Sequence, residues 1–201
     1  MTRNFGKLAD IMESFMRTPH ARVDPLFIER WSPRAISSEP IPPDVLASLF
    51  EAARWAPSSS NEQPWLFMYA DQPAALEKYR SILVEQNRVW ADKAPVLIVI
   101  FARRNFVRNG QPNRLYAFDT GAAWMSLAMQ AHKLGLFVHA MAGFSQEKAY
   151  ELFRVDQNQY EAMAAIVVGK YGDPALLSPA LREREKPSDR KPLSEVAVRV
   201  S

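Results

Sequence analysis

The chain contains no cysteine in 201 residues, which removes disulfides, thiolate nucleophiles, iron–sulfur clusters and the usual thiolate zinc sites together. Its three histidines, His20, His132 and His139, are too scattered to suggest a ligand cluster, and H-E-x-x-H is absent, so no metal site is expected. Glycine is scarce. The seven, at 6, 110, 121, 135, 143, 169 and 172, form neither G-x-G-x-x-G nor a Walker loop, which argues against a nucleotide held on a glycine-rich strand-to-helix turn. No serine sits in G-x-S-x-G. No apolar stretch approaches the roughly 20 residues of a membrane span. The opening MTRNFGKLADIMESF carries charges throughout where a secretory signal needs an apolar core, so the chain reads as cytoplasmic and not membrane-bound. Strong net charge is missing too: 25 basic residues stand against 22 acidic ones, interleaved, and a net +3 is weak support for nucleic acid.

What is present suits one domain, since 48% hydrophobic and 11% aromatic residues over this length can bury a sizeable core. PDVLASLFEAARWA, from Pro43, places Leu46, Leu49, Phe50 and Ala53 at helical spacing behind a proline and Asp44. Trp55 to Pro64 then reads as a loop, WLFMYA (65–70) as a strand, and Asp71-x-Pro73 as the start of a helix running to about Leu83. PVLIVIFA (95–102) is apolar throughout and predicts a strand buried on both faces. A polar loop with four arginines follows, then a helix from about Tyr116 to Leu134, closed by Gly135, with Trp124, Leu127, Ala128 and Ala131 on one stripe. Its first turns are small (Gly121, Ala122, Ala123, Ser126) and would allow close approach of another helix. LFVHA (136–140) and AMAAIVVG (162–169) predict two more strands, with Ser145 capping a short helix between them. After Gly172 the prolines and charges of LREREKPSDRKPLSE lead into a strand-like EVAVRV. Such an arm cannot make its own core and must lie over something else.

Two polar clusters stand out. In ERWSPRAIS (29–37), Arg30, Ser32 and Arg34 converge on either an extended or a helical backbone. Paired guanidiniums with a hydroxyl suit a phosphate, although alone a solvated charged face is the commoner arrangement. WAPSSSNEQPW (55–65) sets three serines, an asparagine and a glutamine between tryptophans. No base lies near those serines, so turn and cap roles outrank nucleophilic catalysis.

R-W-S-P-R followed by A-A-R-W-A-P-S-S-S-N-E-Q-P-W resembles the signature of the nitroreductase family of FMN-dependent NAD(P)H oxidoreductases. Asn87, Trp90, Ala91, Ala94 and Pro95, then HAMAGF (139–144) and DRKPLSE (189–195), are similar to further family segments. The resemblance runs from about residue 27 to the end, leaving 1–26 as an N-terminal extension and 171–201 as a C-terminal arm. It implies an α+β sandwich with a mainly antiparallel central sheet flanked by helices, and a homodimer whose C-terminal arms are exchanged.

The implied cofactor is FMN, with NADH or NADPH as donor and a small electron acceptor such as a nitroaromatic or quinone. By that likeness Arg30, Ser32 and Arg190 would bind the phosphate and Arg34 would lie at the N1 and C2=O edge of the ring. Trp31 stands in the same segment, where many members have a basic residue or histidine. Pro57, Ser58, Ser59 and Asn61 would come from the other subunit, Asn87 would reach the ring or ribityl edge, and Met141, Ala142 and Gly143 would pass close to N5. No catalytic side chain is implied, because the flavin carries the reaction. Within the same scaffold, dehydrogenation and reductive dehalogenation stay open, as does a flavin-binding sensor or store with little turnover.

Overall fold

The computed structural model describes residues 17–200; the first sixteen residues of the expected N-terminal extension lie outside the described residues. The run PVLIVIFA becomes the heart of the sheet. Strand β2 (Val96–Arg103) lies between β1 (Trp65–Ala70) and β4 (Tyr160–Gly169), and β3 (Phe137–Met141) pairs with the far side of β4. The order is therefore β1-β2-β4-β3 and every pairing is antiparallel. Successive side chains of β2 face opposite layers, as the pleat requires. Val96, Ile98 and Ile100 join one core, while Leu97, Val99 and Phe101 join the other.

The first layer is a helix pair. Helix α2 (Pro43–Arg54) contributes Leu46, Leu49 and Ala53, and α5 (Tyr116–Lys133) contributes Ala123, Leu127, Ala128 and Ala131. Their periodicity was what the sequence advertised, and proline at the start of α2 costs no hydrogen bond there. The second layer is built from shorter pieces: α3 (Pro73–Arg80), α4 (Glu85–Ala91), α6 (Gln146–Phe153) and the extended segment around Trp31 to Ile36. Ser145 caps α6 by accepting from Lys148 N. The family-like α+β sandwich is thus the architecture.

Three local expectations change. The helix from Pro73 stops at Arg80, because the following residues pair with the chain after β3: Ser145 N donates to Ile82 O at 2.7 Å and Val84 N to Gly143 O at 3.2 Å. A short helix, α1 (Pro25–Glu29), spans the boundary expected at residue 27. Of the strand-like EVAVRV, Glu195 and Val196 end a helical turn, α8 (Leu193–Val196), preceded by α7 (Pro179–Glu183), and Val198 and Val200 stay exposed with no strand partner among the described residues. No helix among the described residues is long and apolar enough to cross a membrane.

Leu127 is fully buried between the α2–α5 pair and the sheet. Leu127→Ala should lower unfolding free energy by about 2–5 kcal/mol, read from urea denaturation, since the surrounding helix and strand cannot collapse into the space.

Candidate functional site

The segment 31–35 alternates between inside and outside: Trp31, Pro33 and Ala35 are buried while Ser32 and Arg34 are half-exposed. The extended alternative therefore holds, and Arg30, Ser32 and Arg34 turn to one side. They face a cavity of about 350 Å³ whose other walls are Arg17, His139, Arg184, Lys186, Ser188 and Arg190. Six of its side chains are basic and none of the described residues lining it is acidic. Arg30 Nη1 lies 3.4 Å from Ser32 Oγ. Arg17 is fixed by donating to the carbonyls of Ile28 and Arg30 at 2.8 and 3.0 Å.

Crowding shows in the acid–base balance. Burial, then repulsion from Arg190, lowers the pKa of Arg30. Burial followed by Arg184 does the same to Arg34, with Glu185 opposing. Arg17 is lowered by burial and by Arg190 and Arg30, with Asp189 opposing. Guanidiniums so shifted stay protonated, so the strain is relieved by an anion.

Trp31 behaves differently from its neighbours. It borders the cavity, yet is 3% exposed, and its indole packs against Phe137 and Tyr171. Of the residues expected at the cofactor, Trp31 and Met141 have side chains committed to the core.

Helix α4 adjoins two of the lining residues through Trp90. Trp90 stacks on His139 with centroids 4.6 Å apart, and the Arg34 guanidinium lies 5.9 Å from the Trp90 ring centroid. One turn earlier on the same helix, Asn87 donates its amide to Gly143 O at 2.9 Å. A Cβ at Gly143 would stand 2.6 Å from Asn87 Nδ2 and 2.8 Å from Val84 Cγ2, so this close approach demands glycine. Asn87 thus positions the chain at Gly143. Ala142 beside it is exposed, whereas Met141 turns into the core.

Pro57, Ser58, Ser59 and Asn61 lie elsewhere. Their turn leads into β1, at the edge of the sheet opposite β3. Ser60, Asn61 and Gln63 all have positive φ, between 51° and 54°, an arrangement that costs free energy for non-glycine residues. It is held by Ser59 N donating to the buried Asp119 carboxylate at 3.0 Å and Gln63 N donating to Ser58 Oγ at 3.0 Å. Helix α5 measures the separation. Asp119 grips the turn at its start, and His132 near its end lies 3.8 Å from Glu29, beside Arg30. At about 1.5 Å per residue the two ends are roughly 20 Å apart.

Several lining residues escaped the sequence reading: Arg17, His139, Arg184 and Lys186. The arginines looked like solvated charge, and only the neighbouring R-W-S-P-R pattern could have drawn attention to them. Among the described residues no cluster of His, Asp and Glu could hold a metal ion.

Gly143→Ala should push the Asn87 amide off Gly143 O and cost about 1 kcal/mol in unfolding free energy. In a double-mutant cycle, Asn87→Ala should then add little to it. His139 gives a pH test. Its Nδ1 donates to Pro33 O at 2.9 Å, and burial chiefly, with the Arg34 and Arg30 charges, lowers its pKa. Burial also lowers that of His132. The unfolded chain binds protons that these folded histidines refuse, so stability should fall as pH drops below about 6.5. Comparing urea midpoints at pH 7.5 and 5.5, His139→Gln should lose less than the unaltered protein.

The nitroreductase family model matches residues 28–89 and 87–170. A crystal structure of an oxidoreductase containing FMN matches with 39% identity and a TM-score of 0.86, covering 90% of this chain and 93% of that one. Iodotyrosine deiodinase 1 of Rattus norvegicus is 31% identical over 124 residues, 49% of this chain and 44% of the deiodinase, so the match spans less than half of that relative's length. A Stenotrophomonas maltophilia protein, provisionally named an NADH dehydrogenase/NAD(P)H nitroreductase, is 26% identical over 80% of this chain and 90% of its own. With the sandwich, the cation-lined cavity and the glycine approach already in view, these matches mean that the chain belongs to the nitroreductase family.

Proposed function

We propose that the chain is an FMN-dependent oxidoreductase that takes hydride from NADH or NADPH and delivers it to a small acceptor such as a nitroaromatic or quinone. The observation that carries this reading is the cavity with six basic side chains and, among the described residues, no acidic one on its walls. A phosphate dianion is what such a donor set suits, and the fixed forks of Arg30 and Arg190 can each give it two bonds. Ser32 adds a hydroxyl. Arg34 offers a fixed cation where a reduced flavin ring would gather negative charge. Gly143 leaves its backbone open to close approach. Bound there, FMN supplies reversible hydride transfer, and the protein's part is to bind and orient it.

The serine turn enters this reading only through a second copy of the chain. Within one chain the turn and the cations are about 20 Å apart by the length of α5. The surface supports a homodimer: Phe118 and Met125, 76% and 38% exposed, flank Gly121 on the outer face of α5, and an added Cβ at Gly121 would meet nothing within 4 Å. The exposed valines of the C-terminal arm are a second surface with no partner strand in this chain. Reductive dehalogenation is the second reading, favoured by the 31% identity to the deiodinase.

Purified protein should be yellow or take up FMN, and anaerobic NADH or NADPH should bleach it. Arg30→Ala and Arg190→Ala should each weaken FMN about 10–100-fold in fluorescence titration, the range for losing a charge-assisted hydrogen bond. Mixing Arg30→Glu chains with Ser59→Tyr chains should restore sites that neither variant has alone, because one heterodimer site is then intact. A protein that refuses FMN sinks the cofactor reading; no recovery on mixing sinks the shared site.

A further inference from the structure

Besides Arg17, two stretches of chain supply the cations, residues 30–34 and residues 184–190, and nothing in the basic side chains themselves would hold such stretches together. Each presents alternate residues to the cavity: Arg30, Ser32 and Arg34 from one, Arg184, Lys186, Ser188 and Arg190 from the other. In the second stretch Glu185 has the opposite orientation. Its side chain is 93% buried by the accessibility that leaves it 7% exposed, and it meets the backbone of the first stretch. Oε1 accepts from Arg34 N at 2.9 Å and from Ala35 N at 2.8 Å, while Oε2 accepts from Arg34 N at 2.9 Å.

We propose that Glu185 is a positioning residue, a buried carboxylate that fastens the C-terminal segment to the 34–35 backbone and thereby assembles the cation pocket from its two halves. The bonds bridge 151 positions of sequence. They are charge-assisted, so they are stronger than backbone pairing would be, and they leave the cavity-facing side of both stretches free for an anion. Burial pushes the Glu185 carboxyl up, while the Ala35 and Arg34 amides and the Arg34 charge pull it back. Tyr171 packs nearby and is itself pushed up, by burial first and then by Glu185 and Asp173. Removing the carboxylate would leave two buried amide donors without their partner and release the segment that carries Arg184, Lys186 and Arg190.

The proposal rests on the FMN reading only for the choice of probe, and two measurements keep the two separable. The first is limited trypsin digestion of the ligand-free protein. Glu185→Ala should speed cleavage after Arg190 by about tenfold or more with cuts outside the C-terminal segment unchanged, in keeping with locally raised opening. Glu185→Gln, which keeps one acceptor oxygen, should be intermediate, and it is the variant to read if the alanine form does not fold. The second is titration with FMN and with riboflavin, which lacks the phosphate. FMN affinity should fall about 100-fold while riboflavin affinity changes little, the equivalent of about 2.7 kcal/mol confined to the phosphate. A role limited to general stability would weaken both alike. Unchanged arm cleavage in both variants overturns the latch, as does faster cleavage with the FMN preference intact. Faster arm cleavage in a protein that binds no flavin at all supports the latch and removes the cofactor reading instead.

Discussion

Like charges brought together repel, and the cavity beside β3 gathers six of them, three half-buried and three exposed, with no acidic side chain among the described residues on its walls. Where the guanidiniums are half-buried this repulsion works against the fold unless something negative offsets it. The rest of the site follows from that constraint. The two extended stretches must be tied from behind by backbone-directed bonds, because their cavity faces push apart. Burial, with the Arg34 and Arg30 charges, holds the pKa of His139 down against the opposing pull of its bond to Pro33 O, so the ring does not add to the charge. The pocket stores an electrostatic demand that a dianion satisfies, and binding then stabilises the same segments that bind.

The sheet explains why the residues with the strongest sequence signal do not all meet. In the order β1-β2-β4-β3 the serine turn borders one edge strand and the cations border the other. Strands β2 and β4, buried along most of their length, fill the space between. No rearrangement of loops could bring the halves together through that core, so a shared site calls for another chain, and the exposed apolar positions on α5 and the arm are suited to receive one.

Much of the fold was legible because periodicity survives in a single sequence. Helices α2 and α5 and strand β2 declare themselves through spacing or unbroken apolarity. Helix α4 did not: it has few apolar positions, no side-chain cap, and a start fixed by the remote Gly143 carbonyl. The C-terminal EVAVRV alternates like a strand, but alternation needs a partner, and among the described residues it pairs with neither edge strand, β1 or β3. The site was legible where residue types cluster locally, as around Arg30 and Ser58. It was opaque where partners are distant. Glu185 sits in a run that reads as solvated charge, and Arg17 precedes the motif altogether. Asn87 was visible as a motif position, but its engagement with Gly143 was not.

The serine turn carries one more lesson. At Ser60 and Gln63 the backbone sits in the left-handed region that glycine enters freely, yet the chain spends side chains there. Glycine at either place would relax the main chain and raise thermal tolerance, at the expense of the polar groups the turn displays. A chain shaped for durability alone would have made that exchange. Here the tension is kept, and with it the hydroxyl and amide groups that the turn displays.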